Sequence, residues 1–154
     1  MEKYDLETLK RGLKELKIEL NEDQIQQFVT YYKVLVEWNS FMNLTAITEF
    51  QEVIIKHFMD SLALVNAVDL RKTESVIDIG TGAGFPGIPL KIAYPHLKIT
   101  LLDSLNKRIK FLNEVIQKLN LRDIETIHGR AEDFAKQAVY SCLLYTSDAA
   151  DDRI

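Results

Sequence analysis

The residues with the most chemistry in the fewest positions are Asp78-Ile79-Gly80-Thr81-Gly82-Ala83-Gly84-Phe85-Pro86-Gly87. Glycines at alternate positions after an acid let the backbone turn tightly, and let a ligand approach the main chain with no Cβ in the way. A helix starting behind such a loop aims its positive end at the ligand, which favours a phosphate or a carboxylate. Pro86 suits the start of that helix, where a missing N–H costs nothing. Downstream, Asp103 stands where an acid can take the two hydroxyls of a ribose. Without a ligand the same residues would make only a tight strand-to-helix turn.

Other candidates are weaker. His57, Asp60 and Ser61 carry the residue types of a catalytic relay, but four positions on one helix face give a local geometry with no path to a nucleophile. They read as a packed helix face with satisfied polar groups. Lys10, Arg11, Lys14 and Lys17 crowd one helix and Lys107, Arg108 and Lys110 another, patterns that a solvated face also produces. A single cysteine, Cys142, cannot form an internal disulfide or a zinc site by itself. No metal site and no catalytic residue is assigned.

The elements that must position the loop follow from periodicity. The chain has 154 residues, 47% of them hydrophobic, with 19 Lys+Arg against 23 Asp+Glu and a formal charge of −4. That suits a globular protein, argues weakly against nucleic-acid binding, and with no long apolar run or secretory leader suggests a cytoplasmic protein without membrane contact. Leu6, Leu9, Leu13 and Leu16 make one helical stripe. Asn21 and Gln24 form a capping box ahead of Ile25, Phe28, Val29, Tyr32 and Val36, predicting a helix to about Phe41. Thr48 with Gln51 is a third cap candidate, before Ile54, His57, Phe58, Ser61, Leu62 and Val65. Then the pattern changes to strand Ser75–Ile79, helix Gly87–Tyr94, strand Leu97–Leu102, helix Leu105–Leu119 (with Ile109, Leu112, Val115, Ile116 and Leu119 inward), strand Ile124–Ile127 and a short helix from Ala131 to Gln137. Alternating strands and helices predict parallel pairing with right-handed crossovers, an α/β fold. The expected organisation is a helical segment over 1–70 and a partial Rossmann-like sheet over 71–137. Residues 138–154 lack helical or strand periodicity over their length, resemble the foreign tails left by sequencing-adapter read-through, and are expected not to be native.

Two ligand classes fit the loop. Gly82-Ala83-Gly84-Phe85-Pro86-Gly87 is a literal G-x-G-x-x-G, the dinucleotide fingerprint of NAD and FAD oxidoreductases. The frame Asp78-x-Gly80-x-Gly82-x-Gly84 is the loop typical of S-adenosyl-L-methionine-dependent methyltransferases. Both ligands carry an adenosine ribose, so Asp103 does not choose between them. A non-catalytic nucleoside-binding module is a third reading.

Asp78 to Leu90 as DIGTGAGFPGIPL and Leu101 to Leu112 as LLDSLNKRIKFL resemble the ribosomal RNA small-subunit methyltransferase G family. Trp38-Asn39 with Asn43-Leu44-Thr45-Ala46-Ile47, and His57-Phe58-Met59-Asp60-Ser61-Leu62, match the same family's helical entry, so the resemblance covers roughly residues 5 to 137. It implies methyl transfer from S-adenosyl-L-methionine to N7 of a guanine in 16S ribosomal RNA, on the small ribosomal subunit, by a monomer. By this resemblance Gly80, Gly82, Gly84 and Phe85 line the cofactor pocket, Asp103 takes the ribose hydroxyls, and Ala131 and Glu132 flank the adenine, with Asp133 beside them. Lys107, Arg108 and Lys110 gain weight as RNA contacts. In this family the first strand is flanked by the second and the fourth. Only the first three strands are predicted here, which would leave an apolar edge at Val76 to Ile79, half a cleft, and little or no activity.

Overall fold

The computed structural model describes residues 4–134 and 142–145. Helix α1 (Glu7–Glu15) buries Leu9 and Leu13, the centre of the leucine stripe. Helix α2 (Glu22–Asn39) starts at the expected capping box. Asn21 Oδ1 accepts from the Gln24 N–H at 2.8 Å and Gln24 Oε1 accepts from the Asn21 N–H at 2.9 Å. This satisfies donors that the first helical turn leaves unpaired. Asn21→Ala is expected to lower stability by about 1 kcal/mol, readable as a lower urea midpoint with an unchanged slope. The same helix serves its neighbours. Gln24 Nε2 donates to the Ile92 carbonyl at 2.9 Å and Gln27 Nε2 to the Leu119 carbonyl at 3.0 Å, each at the end of another helix.

The third helical region departs from expectation. Its cap is Glu49, whose carboxylate accepts from the N–H groups of Gln51 and Glu52, because a glutamate one position later reaches both orphan donors. The carbonyl of Thr48 is instead held by the Tyr32 hydroxyl at 2.5 Å. After α3 (Phe50–Val53), the chain widens into a π-helical segment, Ile54–Met59, and continues through α4 (Asp60–Leu62) into a 3₁₀ turn, Ala63–Asn66.

Strand β1 (Ser75–Ile79), helix α5 (Gly87–Ala93), strand β2 (Lys98–Asp103), helix α6 (Asn106–Leu119), strand β3 (Ile124–His128) and helix α7 (Ala131–Phe134) follow as predicted to within a residue or two, with residues 135–137 outside the described range. Helix α6 buries Phe111 as well as Ile109, Leu112, Val115 and Leu119, since Trp38 of α2 packs edge-on against that ring at 5.9 Å; Ile116 is only half-buried.

All pairings in the sheet are parallel, and the order is β3-β2-β1-β4. The fourth strand, β4 (Cys142–Tyr145), corrects the expectation of three. It pairs with β1 from Val76↔Cys142 to Ile79↔Tyr145, the edge expected to be bare. The run Cys-Leu-Leu-Tyr is too short to register in a periodicity read over seventeen residues, yet four residues suffice for a strand lying against a buried edge. Residues 138–141 and 146–154 of the tail fall outside the described range.

Candidate functional site

Because the strands are parallel, their C-terminal ends share one edge, where ligands of open α/β sheets bind. Gly80 to Phe85 follow β1, Asp103 ends β2, and Ala131 and Glu132 follow β3, so the structure brings every sequence-predicted site residue to that edge. Ala131 is half-buried against the cluster of Ile77, Ile79 and Leu102, and Glu132 is exposed. The side chain of Asp133 is outside the described range.

The loop is held by its own acids. Asp78 is fully buried, and its Oδ2 accepts from the Thr81 hydroxyl at 2.6 Å and from the Gly87 N–H at 2.9 Å, stapling both ends of the loop. Its Oδ1 has no hydrogen-bond partner among the described residues. Burial raises the Asp78 carboxyl to about 7; the bonds from Thr81 and Gly87 pull against it, and the charge of Asp103 adds to it. Gly80, Gly82 and Gly84 have φ of 70°, 61° and 96°, the left-handed region that glycine enters freely.

One expectation is revised here. The amino end of α5 does not face an open ligand position: the Gly87 N–H is taken by Asp78 and the Ile88 N–H by the Gly84 carbonyl at 2.7 Å. The protein's own carboxylate occupies the place a pyrophosphate would need. Asp103 likewise has a structural duty, with Oδ2 accepting from the Gly82 N–H at 2.9 Å and Oδ1 from the Leu105 N–H at 2.9 Å. Arg108 Nη1 lies 3.5 Å from Oδ2. Each carboxylate oxygen has two lone pairs, so these three contacts leave one acceptor position, on Oδ1, for a hydroxyl.

The helical segment grips the same loop, which sequence reasoning missed. The Tyr31 hydroxyl, fully buried, donates to the Ala83 carbonyl at 2.5 Å, and burial first, then the Asp78 charge, pushes its pKa well up. Its ring stacks on Phe58 at 5.3 Å and lies 5.7 Å from Phe85. The one available signal was that a tyrosine on an apolar helix face needs a partner for its hydroxyl. Phe85 in turn stacks on His57 at 4.5 Å and 11°. His57 Nε2 is 2.8 Å from Thr45 Oγ1, while Ser61 Oγ donates to the His57 carbonyl at 2.6 Å and Asp60 is exposed. The imidazole therefore bonds to neither Ser61 nor Asp60, in keeping with the reading against a relay. Among the described residues no cluster of His, Cys, Asp and Glu could hold a metal ion, and no helix is long and apolar enough to cross a membrane.

Residues 24–147 match the family model described as rRNA small subunit methyltransferase G. The chain belongs to that family. Methyltransferase G relatives include those of Lachnoclostridium phytofermentans, 58% identical over 133 residues (86% of this chain, 55% of the relative), and Thermoanaerobacter sp. strain X514, 55% identical over 140 residues (91% and 58%). The chain thus spans little more than half the length of the methyltransferase G proteins it matches. Among solved structures, the fold is similar to the SAH-bound Podospora anserina methyltransferase PaMTH1, with TM-score 0.56 and 15% identity over 99% of this chain and 62% of that one. It is also similar to a Plasmodium falciparum protein-L-isoaspartate O-methyltransferase homologue in complex with S-adenosyl-L-homocysteine, with TM-score 0.52 and 14% identity over 93% and 73%. The Rossmann-like architecture expected for a methyltransferase G chain is the one observed.

Proposed function

We propose that the chain carries the cofactor-binding half of an S-adenosyl-L-methionine-dependent methyltransferase acting on N7 of a guanine in 16S ribosomal RNA, as part of the small ribosomal subunit's modification. The observation that carries this reading is the carboxylate of Asp78 at the start of α5. A dinucleotide would bring its pyrophosphate to that helix end, against a buried acid, whereas an adenosyl sulfonium brings no phosphate. The residues fit the sulfonium cofactor. The glycines leave the main chain bare, Asp103 retains acceptor capacity for a ribose, and Phe85 offers a half-buried ring. Gly80, Gly82, Gly84 and Phe85 would line the cofactor, and Ala131 with Glu132 would flank the adenine.

When bound, the cofactor supplies an electrophilic methyl group. Guanine N7 has an in-plane lone pair and no proton to lose, so the protein needs no strong base and acts by placing the two reactants in line. A folded RNA has to present the base outside its stack. The partner is then ribosomal RNA, the location cytoplasmic and the working unit a monomer, with the helical segment 1–70 and the sheet segment 71–137 acting together.

Thermal unfolding with and without ligand tests the reading. S-adenosyl-L-homocysteine at about 100 times its Kd is expected to add about 2.7 kcal/mol and raise the midpoint by several degrees. A shift with NAD and none with S-adenosyl-L-homocysteine would overturn it.

A further inference from the structure

His57 sits in the π-helical segment Ile54–Met59. Such i→i+5 turns are rare and recur at functional sites. One face of the imidazole lies on Phe85 of the glycine loop at 4.5 Å, and its Nε2 is fixed by Thr45 at 2.8 Å. Thr45 is itself anchored: its N–H and that of Leu44 donate to Asn39 Oδ1 at 2.9 and 2.8 Å, and its hydroxyl oxygen accepts from the Ile47 N–H at 3.1 Å. A ring with its plane and one nitrogen fixed leaves one group uncommitted. Nδ1 has no hydrogen-bond partner among the described residues, and the side chain is half-buried.

Hydrogen-bond bookkeeping assigns the proton. If Nε2–H donated to Thr45, the threonine hydroxyl hydrogen would have no acceptor among the described residues. If the hydroxyl donates to Nε2, the threonine and Nε2 are both satisfied, and the proton sits on Nδ1, the one group left open. Burial lowers the imidazole pKa, with the charge of Asp60 opposing, so the ring is neutral at neutral pH. A neutral N–H donor thus stands beside the loop that would carry the methyl donor, where an imidazolium would repel the positive charge that methylation puts on a purine.

We infer that His57 is an acceptor-binding residue, donating from Nδ1–H to the exocyclic O6 of the guanine while N7 is left free for the methyl group. This rests on the methyltransferase reading above. It involves no proton transfer: the N7 lone pair forms the new N–C bond, the S–CH3 bond breaks, and the electron pair stays on sulfur.

The imidazole nitrogens can be followed by long-range ¹H–¹⁵N spectra of the chain, assigned through His57→Gln and His57→Asn. Gln places its amide at Nε2 and lacks a donor at Nδ1, while Asn places a donor where Nδ1 stands. The probes are guanosine and 2-aminopurine riboside, which keeps N7 but lacks O6, each with saturating S-adenosyl-L-homocysteine. The Nδ1–H tautomer is expected, with guanosine moving the Nδ1 resonance and 2-aminopurine riboside leaving it in place. His57→Gln should lose a preference for guanosine of about tenfold. His57→Asn should keep it, and both should bind S-adenosyl-L-homocysteine within about twofold of the parent. An Nε2–H tautomer, a guanosine preference surviving in His57→Gln, or S-adenosyl-L-homocysteine affinity falling in step in both variants would overturn the inference. So would S-adenosyl-L-homocysteine binding with no response of His57 to guanosine, which leaves the methyltransferase reading standing. Failure of the parent chain to bind S-adenosyl-L-homocysteine overturns both.

Discussion

Gly84→Ala is expected to lower stability by about 3 to 5 kcal/mol, combining strained backbone with forced repacking. Gly84 has a φ of 96°, where a side chain is strained whatever space surrounds it. There is also no space. An added Cβ would lie 2.6 Å from Ile88 Cδ1 and 2.7 Å from the Tyr31 hydroxyl. Ile88 is fully buried, and the Tyr31 hydroxyl is tied to the Ala83 carbonyl at 2.5 Å, so neither retreats without losing packing or a hydrogen bond. Urea unfolding measures the loss, and a double-mutant cycle with Tyr31→Phe locates it. Removing the hydroxyl relieves one of the two collisions, so the double variant should be more stable than the sum of single losses predicts, by roughly 1 kcal/mol. Additive losses, or a Gly84→Ala midpoint equal to the parent's, would refute the account.

The second large effect concerns acid. Asp78 titrates near 7 in the folded chain, above its ordinary carboxylate value, because burial disfavours its charge. Between about pH 4 and about pH 7 the native chain therefore holds a proton that the unfolded chain has released, and stability falls as pH rises through that window. The full loss is on the order of 4 kcal/mol, complete above the folded pKa and absent below the unfolded one. Asp78→Asn removes the titration. Its amide nitrogen would take the place of a partnerless oxygen, a cost that does not vary with pH, so the slope of stability against pH isolates the carboxyl. The parent should lose roughly 2 to 3 kcal/mol more than the variant between about pH 5 and about pH 8. Parallel curves for the two proteins would mean that the carboxyl is not held in this state.

What could be read from the residues alone was whatever is encoded locally. The Asn21–Gln24 box, the strand Ser75–Ile79 and the glycine loop each declare themselves within ten residues, and all three form as expected. What escaped was assembled across distance. Tyr31 reaches Ala83 over 52 positions, and His57 meets Thr45 over 12, from a helix that widens between Ile54 and Met59, a change with no signature in composition. Strand β4 escaped for another reason. Its four residues acquire meaning only from the buried edge of β1, and no local pattern announces a partner. The roles of the site acids were half legible. Their positions were evident, but their first use, in tying down the loop, depends on Thr81, Gly82 and Gly87 turning back on them.

The position of β1 between β2 and β4 has a consequence for how the chain is made. Ile79 and Tyr145 are neighbours in the sheet but 66 residues apart in the chain. Ribosomes add about 5–20 residues per second, so the apolar edge of the central strand waits on the order of several seconds for its cover while β2 and β3 are already available on the other side. During synthesis the chain passes through a three-stranded state with an open, sticky seam, the kind of surface that chaperones bind and that neighbouring nascent chains can mispair with.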